Sequence, residues 1–281
     1  MAQQPDTTAF STGQVMAAAD WLDVHFEAAR PEYTATVRSA GFQPGWRVLD
    51  AGCGGGSFLP LLADLVGPSG QLAALDLAPE NVAAVRARAA ALDLAAPLEA
   101  EAGSVTVVPY PDDAFDGLWC ANVTQYLTDD ELVAALMEFR RVVRPGGLIA
   151  IKDSDVSLAR LPSGEPGLVP RLFEALDRAG SAQAHGNLRG PELRAFLRRT
   201  GLSGAWLRTI LMERWSPYSP IEREYIRTLI ATFAGAAEGV ELSAAEGREW
   251  ARLRDRGVAV LDDPGHYYRM GDVLAVGTVP A

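Results

Sequence analysis

Val48-Leu49-Asp50-Ala51-Gly52-Cys53-Gly54-Gly55-Gly56-Ser57 is the stretch of this 281-residue chain whose reading decides the fold. Arg47 to Asp50 reads as a strand that turns through a glycine-rich loop into a helix opening at Ser57. Pro60 falls in the first turn of that helix, where its missing N–H costs nothing. Phe58, Leu61, Leu62, Leu65 and Val66 make the apolar stripe. Glycines at 52, 54 and 56 let a ligand lie against the backbone where side chains would block it. The acid opening the loop, Asp50, suits a cationic or hydrogen-bond-donating group better than a bare pyrophosphate. A nucleoside-binding α/β fold is the expectation.

Working outward, Gln71 to Leu77 (QLAALDL) reads as a second strand ending in Asp76, and Pro79-Glu80 start the next helix. In a doubly wound sheet, an acid at the end of the second strand faces the ribose of a bound nucleoside. The dinucleotide fingerprint G-x-G-x-x-G counted from Gly52 needs glycine at 57, where Ser57 stands. The pattern present, D-x-G-x-G-x-G from Asp50 to Gly56, resembles motif I of the class I S-adenosylmethionine-dependent methyltransferases. Pro109 to Asp116 with the following GLWCA (117–121), and Arg144-Pro145-Gly146-Gly147 before Leu148 to Ile151, are similar to further segments of that family. The resemblance covers Phe42 to Ile151 well and the remainder only by topology.

It implies an α/β, Rossmann-like fold: a doubly wound, seven-stranded, mostly parallel sheet with an antiparallel last strand. It further implies S-adenosylmethionine as cofactor, with S-adenosylhomocysteine as its product. The cofactor-binding residues it points to are Asp50, Gly52, Cys53, Gly54, Asp76, Leu77, Ser104, Val105 and Asn122. Asp76 takes both ribose hydroxyls in this reading. Relatives carry a Gly-Asp-Ala triplet whose acid takes the adenine amino group. Gly103-Ser104-Val105 stands there instead, and a hydroxyl accepts more weakly than a carboxylate.

Beyond the loop, Thr128-x-x-Glu131 is a capping box opening a helix to about Val143, with Arg140, Arg141 and Arg144 complementing its dipole. Pro145-Gly146-Gly147 breaks that helix before a buried strand, Leu148 to Ile151. Residues 1–40 read as an N-terminal helical cap, helical from about 14, with a polar, frayed first dozen. Residues 41–281 read as the methyltransferase domain. Within it, Gly164 to Gly180 and Pro191 to Gly201 read as helices, Ala205 to Trp215 as a sixth strand and His266 to Val279 as a hairpin-like seventh. The segment at about 217–257 carries two helical stretches, Ile221 to Ala234 and Ala244 to Arg256. It exceeds an ordinary connection and reads as a lid or subunit contact, a homodimer being among the arrangements it allows.

The composition narrows the function. A net charge of −11, with no basic stripe interleaved with aromatics, weighs against nucleic acid. Lys152 is the only lysine of the catalytic half among 25 basic residues, and the arginines sit mostly on helix faces. Two cysteines, Cys53 and Cys120, have no metal-ligand partners at useful spacing, so no metal is expected. No signal peptide and no apolar run of about 18 residues is present, which predicts a cytoplasmic protein away from the membrane.

Methyl transfer from a sulfonium is an in-line displacement in which the protein holds the nucleophile about 3 Å from the methyl, excludes water and often removes a proton. The catalytic candidates are His185, Asp153 and Tyr33. His185, in the small-residue stretch Ala184-His185-Gly186-Asn187 between helices, suits a general base near neutral pH. Asp153 and Asp155 follow the fifth strand and could orient a base or bind a substrate amine. Tyr126, Asp155, His25 and Trp21 are the substrate-side candidates, and Tyr33 and Tyr126 suit closure over the cofactor or stacking on an aromatic substrate. The expected function is transfer of a methyl group to a small, aromatic organic acceptor, as in secondary metabolism and natural-product biosynthesis. Carbon, oxygen and nitrogen all stand as accepting atoms. Two alternatives remain: a non-methylating catalyst that binds S-adenosylmethionine, such as a pericyclase, and an NAD-dependent dehydrogenase.

Overall fold

The computed structural model describes residues 19–281 apart from 93 and 164. The expected helix from about 14 therefore lies partly, and the frayed first dozen wholly, outside the described residues. Seven strands are present: β1 (Arg47–Ala51), β2 (Gln71–Asp76), β3 (Leu98–Ala102), β4 (Phe115–Ala121), β5 (Val143–Arg160), β6 (Ser203–Trp215) and β7 (Tyr267–Thr278). They form one sheet in the order β3-β2-β1-β4-β5-β7-β6. β3, β2, β1, β4 and β5 run parallel, whereas β7 is antiparallel to both β5 and β6. This is the doubly wound sheet with a reversed last strand.

Strand alternation divides the interior into two cores. Val48, Trp119 and Ala150 face one layer, with α2 (Arg30–Ser39) and α3 (Leu59–Val66) packed on it. Leu49, Leu118 and Ile149 face the other, against α5 (Asp129–Val142) and α8 (Leu193–Arg199). Thr128 caps α5 as its sequence predicts: Glu131 N–H donates to the Thr128 hydroxyl while Thr128 N–H donates to the Glu131 carboxylate. α4 (Pro79–Ala91) follows β2 directly, so Asp76 sits at the entrance to that helix.

Two stretches differ from the sequence expectation. The fifth strand does not stop near Ile151 but runs to Arg160, so Asp153 and Asp155 lie within it rather than after it. The cause is long-range: β7 pairs Asp153 with Val273 and Asp155 with Gly271, which supplies a ladder for residues too polar to read as strand. Residues 182–188 form a short helix, α7 (Ala182–Leu188), where a loop was expected around His185. Ser181 starts it, its hydroxyl accepting from Ala184 N–H.

The remaining helices cover the carboxyl ends of the strands. They are α1 (Ala19–Ala28), α6 (Leu168–Arg178), α9 (Pro220–Ala237) and α10 (Ala244–Arg256), the last two being the insert. Trp21 of α1 stacks on Tyr225 of α9, ring centroids 5.6 Å apart. Arg214 on β6 donates to Glu32 of α2 and pairs with Glu222 of α9, which ties the N-terminal helices and the insert to one strand. No helix among the described residues is long and apolar enough to cross a membrane.

Candidate functional site

A cavity of about 550 Å³ opens beyond the carboxyl ends of the central strands. One half is walled by the glycine loop and the ends of β1 and β2. Gly52 adopts φ 78°, and a Cβ there would come within 2.3 Å of Val123, so only glycine passes the chain at this point. Gly54 is held by Asp76, whose Oδ2 accepts from Gly54 N–H at 2.8 Å. The other Asp76 oxygen accepts from Ala78 N–H at 2.9 Å and from the Asn81 amide at 3.1 Å. Asp76 thus fastens the loop, yet its Oδ2 keeps a lone pair for a hydroxyl.

Asp50 has the opposite status. It is buried, it lines the cavity, and its Oδ2 has no hydrogen-bond partner among the described residues. Burial first, and the Asp76 carboxylate second, push its pKa up to about 8. Such a carboxyl awaits a donor or a cation. Leu77 is 61% exposed beside it, an apolar platform at the cavity edge, and Ser104, Val105 and Asn122 complete this half. Cys53 lines it too, its thiol pushed well up by burial and by Asp50, so it is no nucleophile.

The second half is aromatic. Trp21, His25, Tyr33, Tyr225, Phe173, Phe233 and Met270 line it. His25 lies parallel to Tyr225, with centroids 5.2 Å apart and planes 6° from coincidence. Beneath this stack runs a buried polar chain. Lys152 Nζ lies 2.8 Å from Asp272 Oδ1, and donates to Asn122 Oδ1 at 2.6 Å and to the Tyr33 hydroxyl at 2.9 Å. The Tyr33 hydroxyl is in turn 2.7 Å from His25 Nε2. Burial, then the Lys152 charge, lower the His25 pKa to about 3, so the ring is neutral.

The site gathers most of the residues expected from the sequence: all nine on the cofactor side, together with Tyr33, Tyr126, His25 and Trp21. The Tyr126 phenol is pushed up to about 12 by burial and stays protonated. Three expected residues fall outside it. His185 does not line the cavity; it projects from α7, about half exposed, 3.2 Å from Asp177 and 3.4 Å from Asp129. Asp153 is buried behind the wall, accepting from the Thr124 hydroxyl at 2.5 Å and Gln125 N–H at 2.9 Å, and so holds the turn after β4. Asp155 is buried as well, and spends its carboxylate on Ser157 of its own strand. All three corrections share one cause: β5 and α7 continue where loops were expected, so these side chains have other partners.

Lys152, Tyr225, Phe173, Phe233 and Met270 are site residues that the sequence did not assign. A signal existed for the first: Lys152 is the only lysine in the whole chain, against 24 arginines. Tyr225 carried none, because only the packing of α9 on α1 brings it to His25.

Residues 48–147 match the family model described as "Methyltransferase domain". The 2-phytyl-1,4-naphtoquinone methyltransferase of Synechococcus elongatus is 32% identical over 117 residues, 42% of this chain and 49% of that protein. An Aspergillus luteorubrus protein named "Probable methyltransferase ltbC" is 27% identical over 247 residues, 76% of this chain and 82% of its own length. Among solved structures, an S-adenosylmethionine-dependent methyltransferase from Aquifex aeolicus aligns with a TM-score of 0.52 at 21% identity, covering 92% of this chain and 96% of that one. The chain spans about half the length, or less, of the first curated relatives it matches.

Proposed function

We propose that this chain, which carries a methyltransferase domain of the class I S-adenosylmethionine-dependent fold, transfers the methyl group of S-adenosylmethionine to a small aromatic acceptor. The observation that carries the reading is one cavity with two chemically distinct halves, an acidic glycine-loop half and an aromatic half. The residues present fit the cofactor. Asp50, a buried carboxyl with an unpartnered oxygen, would take its amino group, and Asp76 its ribose hydroxyls. Leu77 would pack on the adenine, with Ser104 and Val105 at its polar edge. When bound, S-adenosylmethionine supplies an electrophilic methyl group, and the protein supplies position and dryness.

The aromatic half gives the acceptor's class. Trp21, Tyr225, Phe173 and Phe233 offer ring faces and edges rather than ionic partners, which suits a flat, largely apolar molecule. The naphthoquinone named for one relative is of that shape. With His185 outside the cavity, His25 is the histidine that lines it. The test is incubation of the purified chain with S-adenosylmethionine and a panel of hydroxylated aromatics and quinols, read by mass spectrometry. A product heavier by one methyl group, formed together with S-adenosylhomocysteine, supports the proposal. Tight cofactor binding without any methylated product would favour the non-methylating alternative, and binding of NAD alone would favour the dehydrogenase.

A further inference from the structure

We propose that Asp272, Lys152 and Tyr33 form a one-way hydrogen-bond chain that fixes His25 with its proton on Nδ1, as a donor to a phenolic or enolic oxygen of the acceptor. The inference rests on the methyl-acceptor reading of the aromatic half, and it assigns that acceptor an oxygen bound as the anion or carbonyl. It also makes His25 a catalytic donor instead of a base, with Tyr33 and Lys152 as positioning residues.

The direction of the chain follows from counting hydrogens. Lys152 is fully buried and meets three acceptors within 2.9 Å: Asp272 Oδ1, Asn122 Oδ1 and the Tyr33 hydroxyl. An ammonium has three hydrogens and no lone pair, so these contacts use it completely. The Asp272 carboxylate balances the charge, and a buried ammonium without such a partner would be costly. Tyr33 oxygen therefore accepts from Lys152 and directs its own proton to its other neighbour, His25 Nε2, at 2.7 Å. A neutral imidazole that accepts at Nε2 holds its hydrogen at Nδ1. Stacking on Tyr225 and Trp21 fixes the plane of the ring and with it the direction of that N–H.

Electrostatics point to the same partner. The cavity-lining residues of α1, α2, α6, α9 and β7 include no carboxylate among the described residues; the carboxylates on the lining are Asp50, Asp76 and, on α5, Glu131. An ammonium substrate would find no counter-charge on those five elements. An oxygen anion would meet a donor at the end of the hydrogen-bond chain that starts at Lys152. Its own proton leaves to solvent as the anion binds, so no side chain has to take it. The use of lysine at this one position also has a physical reason. A compact ammonium donates in three directions from the end of a thin stem, to Tyr33, Asn122 and Asp272, whereas a guanidinium holds its donors in one plane.

Nitrogen-15 NMR of the full chain with labelled histidine decides the matter without activity. The expected His25 signals are those of the neutral Nδ1–H tautomer, unchanged from about pH 8 to about pH 5, where an ordinary histidine has titrated. Tyr33→Phe keeps the ring, removes the hydroxyl and should yield a mixture of tautomers. Adding 4-nitrophenolate to the wild type should move the Nδ1 signal. An Nε2–H tautomer in the wild type, a titration near the ordinary value, or an Nδ1 signal indifferent to the phenolate would each overturn the proposal. Calorimetry with S-adenosylmethionine on the same samples separates the two readings. Absence of cofactor binding would sink the methyltransferase reading while leaving the tautomer result to stand or fall alone.

Discussion

In the free protein at pH 7 Asp50 is mostly a carboxylic acid, since burial and the Asp76 charge raise its pKa to about 8. A cationic amino group seated against it favours the carboxylate and lowers that pKa, so binding expels a proton in the interval between the two values. At pH 7 about one proton should leave per S-adenosylmethionine bound. Calorimetry in two buffers of different ionisation enthalpy measures this directly. A binding heat independent of the buffer would refute the assignment, and Asp50→Asn should bind, more weakly, with no proton released. Asp76→Ala should cost about 2–3 kcal/mol of cofactor affinity, because buried hydroxyls and Gly54 N–H lose their acceptor together. His185→Ala should leave turnover within about twofold of wild type, as a surface group paired with Asp177 and Asp129 would. His25→Ala should lower turnover by about 10²-fold, the size of one lost donor to a developing or bound oxyanion. Equal effects of the two substitutions would reverse the reassignment. At this scale the loop acids were legible because their meaning is local: an acid, a glycine spacing and a strand end lie within a few residues. The Asp272–Lys152–Tyr33–His25 chain was not, because the two strands that carry Asp272 and Lys152 lie more than a hundred residues from the helices that carry Tyr33 and His25.

Secondary-structure elements tell the same story in a different range. β1, β2, α5 and the two insert helices could be read from caps, prolines and apolar period, all short-range signals. The length of β5 could not, since its last residues are strand only because β7 lies beside them. α7 was hidden by Gly186, a poor helix former whose presence has a packing cause. A Cβ at that position would fall 2.1 Å from the backbone oxygen of Gln125, in the turn that carries the cavity residues Gln125 and Tyr126. Gly186→Ala should therefore destabilise the chain by about 1–3 kcal/mol despite its better helix propensity. Thermal melting checks this, and a raised melting temperature would show that α7 can retreat without penalty. Thr128→Ala, which removes half of the α5 capping box, should cost about 1 kcal/mol and leave the cavity unchanged.

Across the whole molecule, the sheet is a platform and the N-terminal helices and insert are its cover. Both parts of the cover grip β6 through Arg214, which bonds Glu32 on one and Glu222 on the other. Hydrogen exchange should show α1 and α9 gaining protection together when S-adenosylmethionine is added, and protection of only one would separate them. The placement of α1 has a thermodynamic corollary. Leu22 lies over Gly54 of the glycine loop, while its neighbour Trp21 and His25 one turn later face the aromatic half. A single ten-residue helix thus touches both ligand compartments. Whatever order one ligand imposes on that helix is order the other need not impose again. The two affinities are then linked by a common coupling factor, which must be the same whichever ligand arrives first.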